Sequence, residues 1–573
     1  MRDIYTSEYS YRDQNHWIRA VAHTCCQWRE IAFGCPTLWS IPIFTNPDLA
    51  QEMMSRSKKA ALTIRCTSGT WTPRIIEQLE NALTQMSRIE TIHLTLAAQS
   101  DKLTNIFASL SQPAHLLEKV ALSGNNYAMY ALDKSLPQDA FTEVPRLRSI
   151  ELERLDFTWQ AAIFKHHSVT SLRLKYHRNY LANGTSTLGQ MLDALANMPY
   201  LRILDLDHVI PLHTTISGNE NVVQLQFLEK ISIKARADDC NHFLRCIHYP
   251  PDVGITLHCH ANSITEYAPI VSIVGQALRR TRDTDLQFAH VPHTLREAVI
   301  ALCDANSLDI NLYNKVRRRR VFYNPSLDEK PCVSIHLEGA HYVDASDNCL
   351  LKDIFASFDF PALKKFTLTW YAVSASTLRD CVGGLPQVEW LKLTGCFPEI
   401  CTAMKENLEG RQVFPIDQLE RDQTRSSTRR KVLKYKFPPV SILPALKTLH
   451  IFDADLRESR VPENMENLVD LLMQRSDMDA PVEHLILNGC HGVRGGYARK
   501  RLAEVVVSLE VDGEELAVEE LEDDGEDDEE TEYSDEFDED EEHYSDEIYD
   551  YDHGYLDPYD MDEDGFGFGW LPF

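Results

Sequence analysis

The most regular feature of this chain is a short hydrophobic pattern that recurs along most of its length. An apolar residue is followed three positions later by a second apolar residue, and two positions after that by a third. The last two share one face of an extended strand, and the first marks the turn into it. The ten copies of the pattern are RIETIHL, LLEKVAL, RLRSIEL, SVTSLRL, YLRILDL, FLEKISI, ALKKFTL, QVEWLKL, ALKTLHI and PVEHLIL.

Segments with helical periodicity separate these predicted strands. Examples are PRIIEQLENALTQM, TSTLGQMLDALANM and NMENLVDLLMQ. The first six copies follow one another at intervals of 28, 30, 22, 32 and 27 residues. A strand and a helix every two to three dozen residues are typical of a leucine-rich-repeat array. The alternative is a doubly wound α/β sheet, which the uniform strand pattern and the absence of a glycine-rich phosphate loop disfavour.

The pattern is irregular in two places. Between Ile233 and Leu363 it weakens to VGITLHC and VSIHLEG, and from Arg411 to Pro439 a polar, basic stretch interrupts it. We interpret that stretch as a long basic loop at about 411–439. The fold class predicted is therefore α/β, a leucine-rich-repeat-like solenoid with a strand and a helix per repeat, over residues 61–507.

The first 60 residues have a different pattern. Apolar residues at spacings of three or four predict an amphipathic helix from Trp17 to Phe33, and Gly34 and Pro36 are a typical stop signal. A short apolar strap follows at Leu38, Trp39, Ile41 and Ile43. A second helix is predicted from about Asp48 to Ser57, before the first strand.

Residues 16–65 resemble the F-box-like N-terminus of a large group of fungal proteins. In that group a tryptophan precedes a V-x-H/x-x-C-x-x-W-R-x-I-A stretch and then P-x-L-W, and MMSRSKKAALTIR matches the follow-on L-x-R-S-x-x-x-P-L-x-I. The usual opening helix, with an L-P-x-E/D-x-L-like stretch, is missing or degenerate upstream of Trp17. The positions that match the motif are Trp17, Val21, Cys25, Trp28, Ile31, Leu38 and Trp39.

The resemblance implies a function. In the group, the F-box-like segment precedes a degenerate leucine-rich-repeat body. F-box domains dock on the Skp-type adaptor of cullin–RING (SCF-type) ubiquitin ligases, and the attached repeats select the substrate. The seven matching residues are thus candidates for packing within the F-box-like segment (residues 1–60) or for contact with the adaptor. The alternative is a repeat scaffold with a vestigial F-box and no ligase role.

Charge is distributed unevenly along the chain. The net charge is −30, from 87 acidic and 57 basic residues, and 31 of the acids lie between Glu510 and Asp564. The remainder has 87 − 31 = 56 acids against 57 bases and is nearly neutral. Residues 508–573 are therefore predicted to be a disordered acidic tail. Aromatic residues are interleaved in this tail, and two roles are open for it: a solubilising extension, or a docking segment for a basic protein.

Other chemistry is not indicated. The chain lacks the GxSxG, HExxH, P-loop and Rossmann signatures, so no enzyme and no cofactor is expected. His23, Cys25, Cys26 and Cys35 do not have a zinc spacing, and in the denser cluster from Cys240 to His260, Cys259 is predicted to oppose His258 and His260 across a strand. No metal site is expected.

Two basic clusters are relevant to nucleic-acid binding, and the absence of targeting signals is relevant to localisation. The clusters Lys315–Arg320 and Arg425–Lys436 are interpreted as solvated loops, with nuclear import or pairing with the acidic tail as alternatives. No aromatic stacking module accompanies them, so nucleic-acid binding is not expected. Without a secretory signal or a membrane-spanning run, a cytoplasmic or nuclear protein with reduced thiols is expected.

The function expected from the sequence is non-enzymatic recruitment of a protein substrate. Side chains that alternate with the buried positions of the strands would face this partner. The candidate substrate contacts chosen in this way are His93, Glu151, Arg173, Asp205 and Lys392.

Overall fold

A computed structural model describes a large part of the chain. The described residues are 25–67, 71–96, 103–124, 135–176, 187–211, 222–261, 266–279, 294–303, 307–317, 330–339, 349–371, 373–409, 442–457, 461–493 and 496–516. Of the two compact units Met1–Leu521 and Glu522–Phe573, all described residues lie in the first. Trp17, Val21, most of the predicted acidic tail and the predicted loop at 411–439 lie outside them.

The described helices are α1 Cys26–Gly34, α2 Pro47–Arg56, α3 Pro73–Leu83, α4 Leu103–Ser109, α5 Leu188–Ala196, α6 Ala237–Arg245, α7 Tyr267–Arg279, α8 Cys349–Ser357, α9 Ala375–Val382, α10 Phe397–Glu409, α11 Pro462–Asp477 and α12 Gly496–Ala503. From α3 onward, each described helix lies between two consecutive strands, as the repeat pattern predicts. Short 3-10 helices occupy Pro36–Trp39, Met86–Arg88 and Ala162–Lys165. None of the helices in the described part of the chain is both long and apolar enough to cross a membrane.

The strands form one long sheet and one short pair. They are β1 Leu62–Cys66, β2 Ile89–Leu96, β3 Lys119–Gly124, β4 Ser149–Glu153, β5 Ser171–Lys175, β6 Ile203–Asp207, β7 Val223–Gln224, β8 Lys230–Arg236, β9 Ile247–His248, β10 Gly254–His260, β11 Glu297–Cys303, β12 Ser307–Tyr313, β13 Val333–Glu338, β14 Lys365–Thr369, β15 Trp390–Thr394, β16 Thr448–Phe452, β17 His484–Asn488, β18 Ser508–Val511 and β19 Glu514–Leu516. Strands β7 and β9 pair only with each other.

The repeat pattern predicts the buried core of the sheet. From β1 to β6, each strand is parallel to the next along the chain, and β14 to β18 repeat this arrangement. The three apolar residues in each of the ten sequence copies are all buried, with at most 3% of any of them exposed. They join the buried helix residues in one continuous hydrophobic core. The structure is therefore a mixed α/β, leucine-rich-repeat-like array with a long, mostly parallel sheet.

The centre of the array departs from the repeat. The order across the sheet is β8, β10, β13, β12, β11, β14, so the chain leaves β10, skips two positions and fills them on its return. Strand β12 is antiparallel to both of its neighbours. This unit, β11–β13, coincides with the stretch in which the sequence pattern weakens. It divides the sheet into an N-terminal part, β1–β10, and a C-terminal part, β14–β18.

Helices α7 and α8 bridge this division on the core side of the sheet. They contact each other directly, although three strands separate β10 from β14. Gly275 of α7 permits the approach, because a Cβ there would overlap the carbonyl oxygen of Ser357 at the end of α8. The guanidinium of Arg279 donates to the carbonyl oxygens of Ala356 and Ser357, each at 2.5 Å.

Two boundaries differ from the sequence-based prediction. The first described helix begins at Cys26, because Cys25 is extended (φ −157°, ψ 167°) and caps the helix through its thiol. A single helix from Trp17 to Phe33 is therefore wrong. At the other end, Ser508–Val511 and Glu514–Leu516 form strands β18 and β19, so the boundary predicted after residue 507 is too early.

The other predicted helices have recognisable start signals. The Asn46 side chain accepts from Leu49 N at the start of α2, and the Thr72 hydroxyl accepts from Ile75 N at the start of α3. Thr187 and Gln190 form a capping box at the start of α5. These caps satisfy N–H groups that have no partner inside a helix.

Candidate interaction surfaces

The face of the sheet that carries the non-core side chains of the strands is called the open face. Because strand residues alternate between faces, pairing in register aligns open-face side chains in rows across the sheet. One row runs from Arg65 through neighbouring residues to Glu510. The residues in this row are Arg65, His93, Ala121, Glu151, Arg173, Asp205, Ser232, Thr256, Ser334, Asn311, Val299, Thr367, Lys392, His450, Ile486 and Glu510.

All five predicted substrate contacts lie in this one row. Glu151, Arg173 and Asp205 are direct neighbours on β4, β5 and β6, and His93 is two strands away from Glu151. Lys392 lies on β15, beyond the central unit β11–β13. The structure therefore brings together four of the five residues and places the fifth in a different part of the sheet.

The N-terminal part of the open face carries alternating charges. In the row of Glu151, acid, base and acid follow one another on β4, β5 and β6. The adjacent row repeats the alternation with Glu153, Lys175, Asp207 and Lys234. Neighbouring strands are only about 4.8 Å apart, so the fields of these charges largely compensate one another.

His93 is held neutral within this part. Burial lowers the pKa of His93, and the positive charge of Arg65 lowers it further, while Glu151 acts in the opposite direction. The side chain therefore serves as an uncharged hydrogen-bonding group at neutral pH.

Two pairs of histidine rings lie near the carboxyl ends of β6, β10 and β13. The rings of His258 and His336 are 5.5 Å apart, and those of His208 and His260 stack at 6.0 Å. His336 Nδ1 lies 2.6 Å from Asp309 Oδ1. Burial lowers the pKa of His258, and His336 and Lys234 add to the effect.

Cys259 faces the core, as the strand alternation predicts, and so does Cys240 of helix α6. Cys259 and Cys240 are both buried. The pKa of Cys240 is raised well above its ordinary value, first by the hydrogen bond with the Cys259 thiol and then by burial. Among the described residues no group of three or more His, Cys, Asp or Glu side chains is arranged to hold a metal ion.

The C-terminal part of the open face is aromatic and cationic. The Lys365 ammonium lies 4.5 Å from the ring centre of Trp390, and the Lys392 ammonium lies 4.8 Å from that of Phe452. The ring of Trp390 meets His450 edge-on at 5.9 Å. Cation–π contacts of this kind hold both partners in a defined arrangement.

A buried carboxylate joins this part to the central unit. Glu297 on β11 is fully buried and faces Lys365 on β14, with Nζ 3.4 Å from Oε1. Arg317 donates to the same carboxylate from Nε at 3.0 Å, from Nη2 at 2.9 Å and from its backbone N at 2.7 Å. Arg317 belongs to the predicted basic cluster, so at least this member is a structural anchor and not a solvated side chain. The other predicted basic cluster, Arg425–Lys436, lies outside the described residues.

The surface of the N-terminal segment is unusually apolar. Trp28 is 55% exposed and Ile31 57%. Five large apolar side chains in a short stretch are exposed, and we call them the apolar surface: Trp28, Ile31, Phe33, Leu38 and Ile41. Of the seven residues singled out from the sequence, Trp28, Ile31 and Leu38 therefore lie on this surface, and Cys25 is an exposed helix cap.

Trp39 has a different role from its neighbours. It is buried with Ile43 and Met53 in a small separate core, and its indole N–H donates to Ala32 O at 2.8 Å. The Arg56 guanidinium lies 3.7 Å from the ring centre of Phe33 and 4.8 Å from that of Trp39. The motif alone does not distinguish Trp39 from Trp28, because both occupy apolar positions in it.

The N-terminal segment is attached to the first strand of the array. Thr63 N donates to Ser40 O at 2.9 Å, and Ile43 forms an isolated parallel bridge with Arg65. The Arg88 guanidinium also donates to the Ser57 hydroxyl at 2.9 Å and to the carbonyl oxygen of Lys58. Sequence analysis missed Arg88, because its partners lie about thirty residues earlier. The segment thus covers the edge of β1 with one side and exposes the apolar surface on another.

Comparisons with known proteins add little. No protein-family model matches the chain. No curated protein matches it either. Among solved structures, the chain is similar to TLR13 in the "Crystal structure of TLR13-ssRNA13 complex", with 9% sequence identity and a TM-score of 0.25. The match covers 72% of this chain and 44% of the TLR13 chain, so this chain spans less than half of that neighbour's length.

Proposed function

We propose that this chain is a non-enzymatic, substrate-recruiting subunit of a cullin–RING ubiquitin ligase. The N-terminal segment would dock on a Skp-type adaptor, and the open face of the array would hold a protein substrate. The mechanism is proximity: the ligase supplies the chemistry, and this chain keeps a bound protein within its reach. Two separate docking surfaces are needed for such a role.

The observation that carries the proposal is the apolar surface of the N-terminal segment. Its five large side chains lie within fourteen residues, from Trp28 to Ile41, each at least 39% exposed. Scattered exposed apolar residues are ordinary, but a contiguous group is typical of a protein-binding site. Its tryptophan, Trp28, is the type of residue that contributes most to binding energy.

The test is co-purification of the intact chain with a Skp-type adaptor. We expect a stoichiometric complex that the Trp28→Ala, Ile31→Ala double variant fails to form. The matched control is Tyr200→Ala, Phe227→Ala, a pair of exposed aromatic residues on the array whose rings are 5.6 Å apart. The control should bind like the wild type. Loss of binding in both variants, or in neither, would contradict the proposed docking surface.

Trp39→Ala is unsuitable for this purpose. Trp39 is buried and bonded to Ala32, so its removal would disturb the fold of the segment itself. A deletion of this size in a core costs about 3–5 kcal/mol. Loss of adaptor binding in that variant would not distinguish a contact from a folding defect.

The second candidate is an interaction scaffold in which the N-terminal segment only caps the array. The bond from Thr63 to Ser40 and the bridge between Ile43 and Arg65 favour it, because they protect the edge of β1. On this hypothesis a folded wild-type chain does not bind the adaptor. The double variant would then change neither adaptor binding nor the stability of the array.

A further inference from the structure

One strand pairing joins the N-terminal part of the array to the central unit. Among the described strands of the N-terminal part, only β10 pairs beyond it, and its partner there is β13. We call this pairing the seam. Its core face is apolar, whereas its open face has three polar pairs: Thr256 with Ser334, His258 with His336, and His260 with Glu338.

The middle open-face pair of the seam consists of two histidines. His258 and His336 lie opposite each other in register, with their ring centres 5.5 Å apart. His258 is exposed and His336 is partly exposed, so protons from the solvent reach both rings. Two imidazoles tolerate this distance while at least one of them is neutral, but two imidazolium ions repel each other.

The neighbours in the same row favour an accumulation of positive charge in acid. Lys234 of β8 lies beside His258, and Asp309 of β12 lies beside His336, with Oδ1 2.6 Å from Nδ1. The Asp309 carboxylate stabilises the charged form of His336. Protonation of both rings therefore places three cations on the adjacent strands β8, β10 and β13. Asp207 of β6, next to Lys234, and Asp309 flank them, so two acids face three cations.

The adjacent rows do not reverse this balance. The row on one side is uncharged and contains Ser232, Thr256, Ser334 and Asn311. The row on the other side contains Arg236, His260, Glu338 and Ser307. Glu338 Oε2 lies 3.3 Å from His260 Nδ1, and His208 stacks on His260 at 6.0 Å. This row also gains positive charge when its histidines are protonated.

We propose that the seam is an acid-sensitive joint, which opens between β10 and β13 when His258 and His336 are both protonated. The helix side would stay closed, because α7 packs on α8 through Gly275 and Arg279 keeps its charge while histidines titrate. The contact between α7 and α8 would then act as the hinge. This inference goes beyond the proposed function and does not depend on it, because it involves no partner.

The direction of the proton linkage agrees with the geometry. The pKa of His258 is lowered first by desolvation and then by His336 and Lys234, while Asp309 and Asp207 act in the opposite direction. In the opened seam the ring is hydrated and separated from His336, so its pKa returns toward the ordinary value. The open state therefore binds more protons as the pH falls through about 6.5, and acid favours opening.

The experiment is hydrogen exchange of the full chain at about pH 7.5 and about pH 5.5, corrected for the intrinsic pH dependence of exchange. In acid, protection of β10 and β13 should fall by about tenfold more than that of β4 and β15. This factor corresponds to one unit of pKa difference in a single histidine. Added salt at the lower pH should restore part of the protection, because it screens the repulsion between the cations.

Two single variants test the histidine pair. In His258→Gln and in His336→Gln only one imidazolium can form at the seam, so the additional loss in β10 and β13 should disappear. His484→Gln, an exposed histidine on the open face of β17, is the matched control and should keep it. Thermal unfolding at the higher pH shows whether each variant folds, and either folded glutamine variant of the pair decides the question.

Three results would overturn the proposal. The first is unchanged protection of β10 and β13 in acid. The second is an equal loss in β4, β10, β13 and β15, which would mean that acid destabilises the whole array and opens no local joint. The third is the full additional loss in a folded His258→Gln or His336→Gln variant, which would exclude the pair as its cause.

Discussion

The N-terminal and C-terminal parts of the sheet are built from the same strand-and-helix unit but present different open faces. Arg173 on β5 lies between Glu151 and Asp205, whereas Lys392 on β15 has Thr367 and His450 as its neighbours in the row. The core positions are equally apolar in both parts, because they must bury the same kind of face. The apolar positions of the repeat therefore specify the fold. The residues between them determine the open face, and so what each part can bind.

The two parts meet at the central unit, and the connection is made by a few specific contacts. On the sheet, Glu297 of β11 binds Lys365 of β14 and Arg317. On the helix side, α7 packs against α8 through Gly275. If the parts are separate surfaces on one cooperative array, weakening either contact should uncouple their unfolding.

The largest effect is expected from Glu297→Ala. The change leaves Arg317 and Lys365 without their shared buried carboxylate, and removal of one partner from such a buried group costs about 3–5 kcal/mol. Urea unfolding should show the loss, and hydrogen exchange should show weaker protection in β11 and β14 than in β2–β6. Glu389→Ala is the control, because its ion pair with Lys364 is largely exposed and should contribute less than about 1 kcal/mol. An equal loss in both variants would contradict the anchoring role of Glu297.

Gly275→Ala should have the next largest effect. The added methyl group overlaps the Ser357 carbonyl, so α7 and α8 must move apart at a cost of about 1–3 kcal/mol. Gly189→Ala in α5 is a matched control: its Cβ would have only the Thr187 hydroxyl at 3.9 Å as a close neighbour. Replacing glycine in an accessible helix position should stabilise by up to about 1 kcal/mol. Denaturation curves in which both changes have the same sign would refute the close helix contact.

Much of the fold follows from the sequence, and the reason is local. Leu204 and Leu206 are two apart because strand residues alternate, and this spacing can be read without any distant partner. The same alternation correctly placed the side chains of Glu151 and Arg173 on the open face. Helices α2, α3 and α5 were predicted from apolar periodicity, which is also a local signal, and the structure adds the caps at Asn46, Thr72 and Thr187 at their starts.

The features that the sequence did not predict depend on distant or unusual contacts. Glu297 is buried because Arg317 and Lys365 approach it from 20 and 68 positions away. The reversed order of β11–β13 depends on which strands pair with one another. Alternation within a single strand does not specify this. The helix start at Cys26 was missed because a thiol is an uncommon cap and the apolar stripe continues through it.

The stability of the folded chain should fall at acidic pH because of histidines in the N-terminal part. Burial lowers the pKa of His93, His166 and His258 in the folded chain. The unfolded chain therefore binds more protons as the pH falls through the ordinary histidine value of about 6.5, and stability is lost as the pH decreases. Urea unfolding at about pH 7.5 and about pH 5.5 should show this loss, and it should be smaller in His93→Gln. The wild-type chain being equally stable at both pH values would contradict the neutral state of these side chains.

The smallest effect tests the charge compensation itself. Arg173→Glu places an acid between Glu151 and Asp205 and should destabilise the chain by about 0.5–1 kcal/mol, since like charges on adjacent strands repel. Lys392→Glu places an acid between Thr367 and His450, neither of which is acidic, so it should produce no comparable repulsion. Added salt should reduce the penalty in Arg173→Glu and leave the stability of Lys392→Glu nearly unchanged. If both variants lose the same stability with the same salt dependence, the two parts of the open face do not differ in their electrostatics.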